Sequence, residues 1–307
     1  MQGAGNDFVL VEGRDGREAD WPALARAICE RHFGIGADGL LVVRPSQVAD
    51  VRMLMWNPDG SESEMCGNGI RCFARYVLDQ PSPTAAGALS PSPAAAGEGR
   101  VRAALFPRPP QRERARERVL TVETGAGILD VRRHPLGMQA SLGRPILAGP
   151  RIPVLCDRDP VLDLPLPGLD ALVTCVSTGN PHAVQFVQDV AAVDLAALGP
   201  RVERHPLFPH RTNFHVCQVV SRGELLMRSW ERGAGLTQAC GTGAAATMVA
   251  ARLRSDVDDI VKVRVPGGEL EVTWDGQGDV VLAGPAEYVF EGDWLRPSPA
   301  RAGSGER

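Results

Sequence analysis

Met65–Tyr76 reads MCGNGIRCFARY and Ala239–Ala250 reads ACGTGAAATMVA. Each places a cysteine directly before Gly-x-Gly and then runs into a helical pattern. Superimposing the two cysteines sets an offset of 174 residues (240 − 66). That offset lines up features that did not define it. Gly5-Asn6 falls on Gly179-Asn180, Trp56-Asn57 on Trp230-Glu231, and Val51–Met53 on Leu225–Met227. Further along, VETGAGILDV from Val122 matches VRVPGGELEV from Val263 at an offset of 141 (263 − 122), which also sets Gly143 on Gly284. Self-similarity at a fixed offset marks a duplicated structural unit.

The first copy carries 33 more residues (174 − 141) between Cys66 and Val122. They coincide with PSPTAAGALSPSPAAAGEGR from Pro81 and PRPPQRERARER from Pro107. Such Pro/Ala/Ser-rich and charged sequence cannot bury enough apolar surface to order itself, so 80–117 is expected to be a disordered surface insertion. Short alternating stretches predict strands at Val51–Met55, Val119–Val122, Leu129–Val131, Leu225–Arg228, Val261–Val265 and Leu270–Trp274. Helices are predicted at Trp21–Arg31, Ile70–Leu78, Leu195–Arg204 and Ala244–Leu253. The expected architecture is α/β (α+β): two pseudo-symmetric halves, 1–147 and 148–296, each a curved sheet with a helix. A flexible tail is expected at 297–307.

Composition narrows the function classes. The chain of 307 residues has 44% hydrophobic and 23% charged residues, ample for a core. Its net charge of −4 offers no basic field to nucleic acid or an anionic membrane. No apolar run approaches membrane-spanning length, and MQGAGNDF lacks a signal-peptide pattern, which points to the cytoplasm. The seven cysteines include no C-x-x-C pair, so neither a zinc ribbon nor a thioredoxin-type motif is expected, and no metal or cofactor is called for.

Cysteine is commonly a small core hydrophobe, and Cys29, Cys72, Cys156, Cys175 and Cys217 are read that way. Cys72 aligns with Ala246, so the repeat gives it no role. Cys66 and Cys240 are different, because each opens a helix. There the unpaired N–H groups and the macrodipole favour an anion and are expected to lower a thiol's pKa. The adjoining glycines leave N–H donors open to a carboxylate. Two such helix starts facing each other would set a thiol on each side of one carbon. One removes a proton and the other delivers one, which inverts a stereocentre.

GAGNDFVL, MWNPDGSESEMCGNGIRCFARY, STGNPHAV and WERGAGLTQACGTGAAA resemble the signature segments of the diaminopimelate epimerase family. The resemblance spans nearly the whole chain apart from the insertion and tail. It implies two β-barrel-like sheets around central helices, with the active site in the cleft between them. It also implies cofactor-independent interconversion of LL- and meso-2,6-diaminopimelate, toward lysine and peptidoglycan, by a homodimer. Cys66 then matches the proton donor and Cys240 the acceptor in the LL-to-meso direction. Asn6, Asn57, Asn180 and Asn213 match substrate-contacting asparagines, although asparagine is also a common turn former. Gly67-Asn68 and Gly241-Thr242 match the donors to the α-carboxylate. Glu231 and Arg232 match the partners of an ammonium and of the distal carboxylate, and His182 with Glu231 matches the groups that tune the thiols. The other five histidines are read as structural. Gly39 stands where some members carry a substrate-contacting glutamine, so that contact is not carried over. The family also has a strand of several residues ahead of G-x-GND, where only Met1 and Gln2 stand here, so either the native chain starts upstream of Met1 or an edge strand has been lost.

Two other readings compete. The two-thiol arrangement is similar to that of proline racemase and hydroxyproline epimerase, whose substrates have one carboxylate and no use for Arg232. A binding module that kept the fold would have no use for both cysteines in both glycine frames.

Overall fold

The computed structural model describes residues 1–15, 19–80, 100–102 and 118–295. The first half contains β1 (Gln2–Gly3), β2 (Asn6–Glu12), α1 (Trp21–Cys29), β3 (Gly39–Arg44), β4 (Val51–Trp56) and α2 (Gly67–Asp79). It continues with β5 (Arg100–Arg102), β6 (Leu120–Thr124), β7 (Gly127–His134) and β8 (Gly137–Ser141). The second half has β9 (Val161–Pro165), β10 (Leu172–Ser177), β11 (Pro181–Phe186), α3 (Leu195–Glu203), β12 (Asn213–Ser221) and β13 (Glu224–Glu231). It ends with β14 (Gly235–Thr237), α4 (Gly241–Leu253), β15 (Ile260–Val265), β16 (Gly268–Thr273), β17 (Val281–Gly284) and β18 (Asp293–Leu295).

The repeat read from the sequence holds at the level of single hydrogen-bonded pairs. In the parallel β2–β3 pair Phe8 lies opposite Gly39, and in β11–β12 His182 lies opposite Asn213, each partner displaced by 174. Val51 faces Val122 across β4–β6 as Leu225 faces Val263 across β13–β15. Helices α1 and α3 start at the same offset, each capped by an aspartate: Asp20 accepts from the Ala23 amide and Asp194 from the Ala197 amide. The halves meet where β8 pairs antiparallel with β17, Met138 opposite Gly284 and Ser141 opposite Val281. One sixteen-stranded sheet results, with β18 and β5 forming a separate two-stranded one. Each half of the large sheet bends around its own helix, α2 or α4, without closing into a barrel.

Helix α4 is apolar all round because it is buried all round, from Gly241 through Ala251. Its small alanines let strands pack closely on every side. Helix α2 is alike in place but carries Ile70 and Phe73 into the same core as Met248 and Val249 of α4. Phe73 is fully buried, and truncating such a ring to alanine costs about 3–5 kcal/mol. A separate apolar cluster in the first half sets Trp21 of α1 against Trp56 of β4, ring centroids 6.1 Å apart.

The expected disorder of 80–117 falls largely outside the described residues. Three of those residues, Arg100–Arg102, form a strand paired with Asp293–Leu295. The tail from 297 also lies outside them. Among the described residues, no helix is long and apolar enough to cross a membrane.

Candidate active site

Cys66 and Cys240 are the N-cap residues of α2 and α4, both with extended backbone. The two helix starts meet: a Cβ on Gly67 would lie 3.2 Å from the Cα of Gly241, so glycine is what allows the approach. The junction is tied across the repeat. Asn68 donates from Nδ2 to the Ala239 carbonyl at 3.1 Å and to Asn6 Oδ1 at 3.3 Å. Arg71, fully buried, donates to the Gly67 carbonyl at 2.8 Å, to Asn68 Oδ1 at 2.9 Å and to the Pro285 carbonyl at 3.3 Å. Burial lowers its guanidinium to about 10, which leaves it charged at neutral pH.

Both thiols border one cleft of about 1240 Å³, together with Asn6, Asn57, Gly67, Asn68, Asn180, Asn213, Glu231, Arg232, Gly241 and Thr242. The structure therefore gathers every expected binding residue, though not all in the same capacity. The amide of Asn6 donates to Asp38 Oδ2 at 2.5 Å, and its oxygen lies 3.8 Å from Cys66 Sγ. Asn57 donates to Ser61 Oγ at 3.0 Å and also builds a turn, its amide bonded to the Ser61 carbonyl. Asn213 is buried, donates to the Pro181 carbonyl at 2.9 Å and accepts from the Arg232 amide at 2.9 Å, so its side chain braces Arg232. The Arg232 guanidinium is exposed at the cleft and donates to the His210 carbonyl at 3.2 Å. His182 does not reach the cleft; it is buried behind Asn180, bonded to that residue's Oδ1 at 2.8 Å.

The expectation that the helix starts depress the thiol pKa values is overturned. The Gly69 amide does point at Cys66 Sγ, at 3.4 Å, and pulls its pKa down. Burial outweighs it and pushes the Cys66 thiol up to about 11, and the Glu231 carboxylate adds to the rise. Cys240 is held well above the ordinary thiol range, first by burial and then by the adjacent Glu231 carboxylate, which accepts from the thiol. Glu231 is itself raised, mainly by burial. A local reading of sequence sees the helix terminus but not how deep it lies.

Several groups at the site were not singled out from sequence. Asp38 borders the cleft, accepts from Asn6 and from the Asp7 amide, and pairs with Arg31 at 2.8 Å. His215 lies buried within 4.8 Å of the Cys240 thiol, and the buried Ser229 is bonded to His215 Nδ1 at 2.9 Å. The only signal for them was alignment of the repeats, which sets His215 on Leu41 and Ser229 on Met55.

The sequence profile of the diaminopimelate epimerase family matches residues 1–90 and 174–289. The chain belongs to this family. Among curated members, the diaminopimelate epimerase of Desulfitobacterium hafniense is 44% identical over 302 residues, covering 95% of each chain. That of Moorella thermoacetica is 45% identical over 303 residues, covering 96% of this chain and 97% of its own. Solved structures share the fold at low identity. A phenazine biosynthesis protein of the PhzF family from Bacillus anthracis has a TM-score of 0.61 at 18% identity, covering 96% of this chain and 95% of its own. A hydroxyproline epimerase from Agrobacterium vitis has a TM-score of 0.59 at 14% identity, covering 92% and 85%.

Proposed function

We propose that the chain interconverts LL- and meso-2,6-diaminopimelate by a two-base mechanism, without a cofactor. The observation that carries this is the pair of cysteines capping equivalent helices on one cleft. A thiol held well above its ordinary range stays protonated at pH 7, so a base must stand beside Cys240. Glu231 stands beside Cys240. In the LL-to-meso direction the Cys240 proton passes to Glu231, the thiolate takes the substrate's α-proton, and the Cys66 thiol protonates the opposite face. Cys240 ends as a thiol, Cys66 as a thiolate and Glu231 protonated; a proton returned from Glu231 to Cys66 after product release resets the site, and the reverse reaction exchanges the roles of the thiols. A high thiol pKa suits the task, since a more basic thiolate narrows the gap to a weak carbon acid.

Charge developing on the α-carboxylate is received by the amides at Gly67-Asn68 and Gly241-Thr242, where loss of one comparable donor costs about 2.7–4 kcal/mol. Arg232 offers its guanidinium fork to the distal carboxylate, which one-carboxylate substrates such as proline lack. The cleft of about 1240 Å³ exceeds the roughly 300–1,000 Å³ usual for small-molecule sites. Its size leaves room for the walls contributed by 1–147 and 148–296 to draw together on the substrate. Free cysteines and the acidic net charge support a cytoplasmic enzyme that does not engage nucleic acid; the homodimer rests on the family resemblance.

The test is incubation with LL-diaminopimelate, and separately with L-proline, in deuterated water. Deuterium should enter the α-position of diaminopimelate with formation of the meso isomer; exchange with proline alone would overturn the assignment. Cys66→Ser should abolish epimerisation, and full turnover by that variant would end the two-base reading.

A further inference from the structure

Gly69 and Gly243 are equivalent, 174 residues apart, each in the first turn of its helix. The walls behind them are not. A Cβ on Gly69 would meet Leu41 Cδ2 at 3.4 Å and Phe8 Cε1 at 3.6 Å. A Cβ on Gly243 would meet His215 Cε1 at 2.3 Å and Nε2 at 2.6 Å. Phe8, Leu41 and Met55 of the first half correspond to His182, His215 and Ser229 of the second. Three apolar positions in one half are thus a polar run in the other, and that run is buried: His182 and His215 are 0% exposed and Ser229 2%. An apolar wall suffices structurally in the first half, so the polar one calls for a reason.

The hydrogen bonds supply it. His182 Nε2 lies 2.8 Å from Asn180 Oδ1, His182 Nδ1 lies 2.9 Å from His215 Nε2, and His215 Nδ1 lies 2.9 Å from Ser229 Oγ. An amide oxygen only accepts, so His182 carries its proton on Nε2. Its Nδ1 must then accept, His215 must donate from Nε2, and the Ser229 hydroxyl must donate to His215 Nδ1. Burial keeps both imidazoles neutral; it is the main cause for each, and it takes His215 down to about 3. The run is therefore polarised one way, from Ser229 in the core to Asn180 at the cleft. Its last member has its oxygen occupied and its NH2 group left over.

We propose that His215, anchored by Ser229, is a positioning residue that acts through His182 to fix the Asn180 amide with its NH2 group toward the cleft, as a donor to a substrate carboxylate. Reversing the run would turn the Asn180 oxygen to the cleft, where it would repel that carboxylate. The identity of the carboxylate rests on the epimerase reading; the polarity of the run does not.

The experiment has two arms. Imidazole ¹⁵N NMR of the unliganded protein at pH 7, assigned by loss of signals in H182N and H215Q, should find both histidines as neutral Nε2–H tautomers. An Nδ1–H tautomer or an imidazolium at either position overturns the proposal. In the kinetic arm, His215→Leu, which copies Leu41, should raise KM for LL-diaminopimelate about tenfold with kcat within about threefold. His215→Gln, whose amide can donate to His182 Nδ1, should restore most of the loss. An unchanged KM in folded His215→Leu, or equal defects in the Leu and Gln variants, counts against positioning. Absence of any diaminopimelate turnover by the wild type would instead defeat the epimerase reading, and the tautomer arm would still decide this one.

Discussion

Gly69→Ala and Gly243→Ala are the same change at matched positions, and the structure predicts opposite results. Neither glycine has a positive φ, so backbone strain does not enter. At Gly69 the new methyl would find Cys66 Cβ and Leu41 Cδ2 at 3.4 Å and Phe8 at 3.6 Å, ordinary van der Waals contact. Replacing glycine where its conformation suits alanine stabilises by about 0.4–1 kcal/mol, chiefly by restricting the unfolded chain. At Gly243 the methyl would overlap His215 at 2.3 Å and crowd Cys240 Sγ at 3.0 Å. His215 cannot swing away freely, being buried and bonded at both ring nitrogens. Overpacking of this kind costs about 1–3 kcal/mol, roughly a 2–5 °C fall in Tm for a protein of this size. Thermal denaturation followed by circular dichroism measures both, and α-deuterium exchange reports the effect on Cys240. Gly69→Ala should melt at or above the wild-type temperature and Gly243→Ala well below it. Equal melting of the two variants would mean that His215 is not packed against the start of α4, and the polar wall argued above would fall with it.

Other outcomes follow from the same geometry. Arg71→Met should lower stability by about 1–3 kcal/mol in urea unfolding, because it leaves the Asn68 and Pro285 oxygens without their charged donor. Cys72, buried and pushed up to about 12 mainly by desolvation, stabilises the fold below the ordinary thiol value of 9.0; that contribution fades as pH rises from about 9 toward 12. Cys72→Ala should therefore flatten the loss of unfolding free energy across that alkaline range, read from unfolding curves at stepped pH. Cys66 is only half-buried and Cys240 is 3% exposed, so iodoacetamide near pH 8 should label Cys66 several-fold faster in peptide mass spectra.

The offset between two cysteines made much of this fold legible. It anticipated the equivalent helix starts at Cys66 and Cys240 and the match of Val51–Met53 with Leu225–Met227; the Asp20 and Asp194 caps and the register of β2–β3 against β11–β12 obey the same offset but were not read from the sequence. What it could not convey was the seam, since pairing of Met138 with Gly284 joins residues far apart in the chain with no motif to announce it. Within the site, short-range chemistry was readable and depth was not. The G-x-G frames identified helix starts, but the direction of the thiol shifts depends on protein packed from both halves. Asn213 was legible as a cleft residue by position, but its bonds to Pro181 and to the Arg232 amide, which brace Arg232, were not. Asp38 escaped notice because its role depends on Asn6, 32 residues earlier.

Arg71 shows what divergence has done to the duplication. Its counterpart is Ala245, so a single guanidinium serves a junction that the backbone builds twice. Two first halves assembled together would bury a pair of cations beside one core, and two second halves would leave that core with no such clamp. Whatever symmetric ancestor the repeat descends from, neither present half can substitute for the other, and a gene carrying either one alone should yield a protein unable to rebuild the site by self-association.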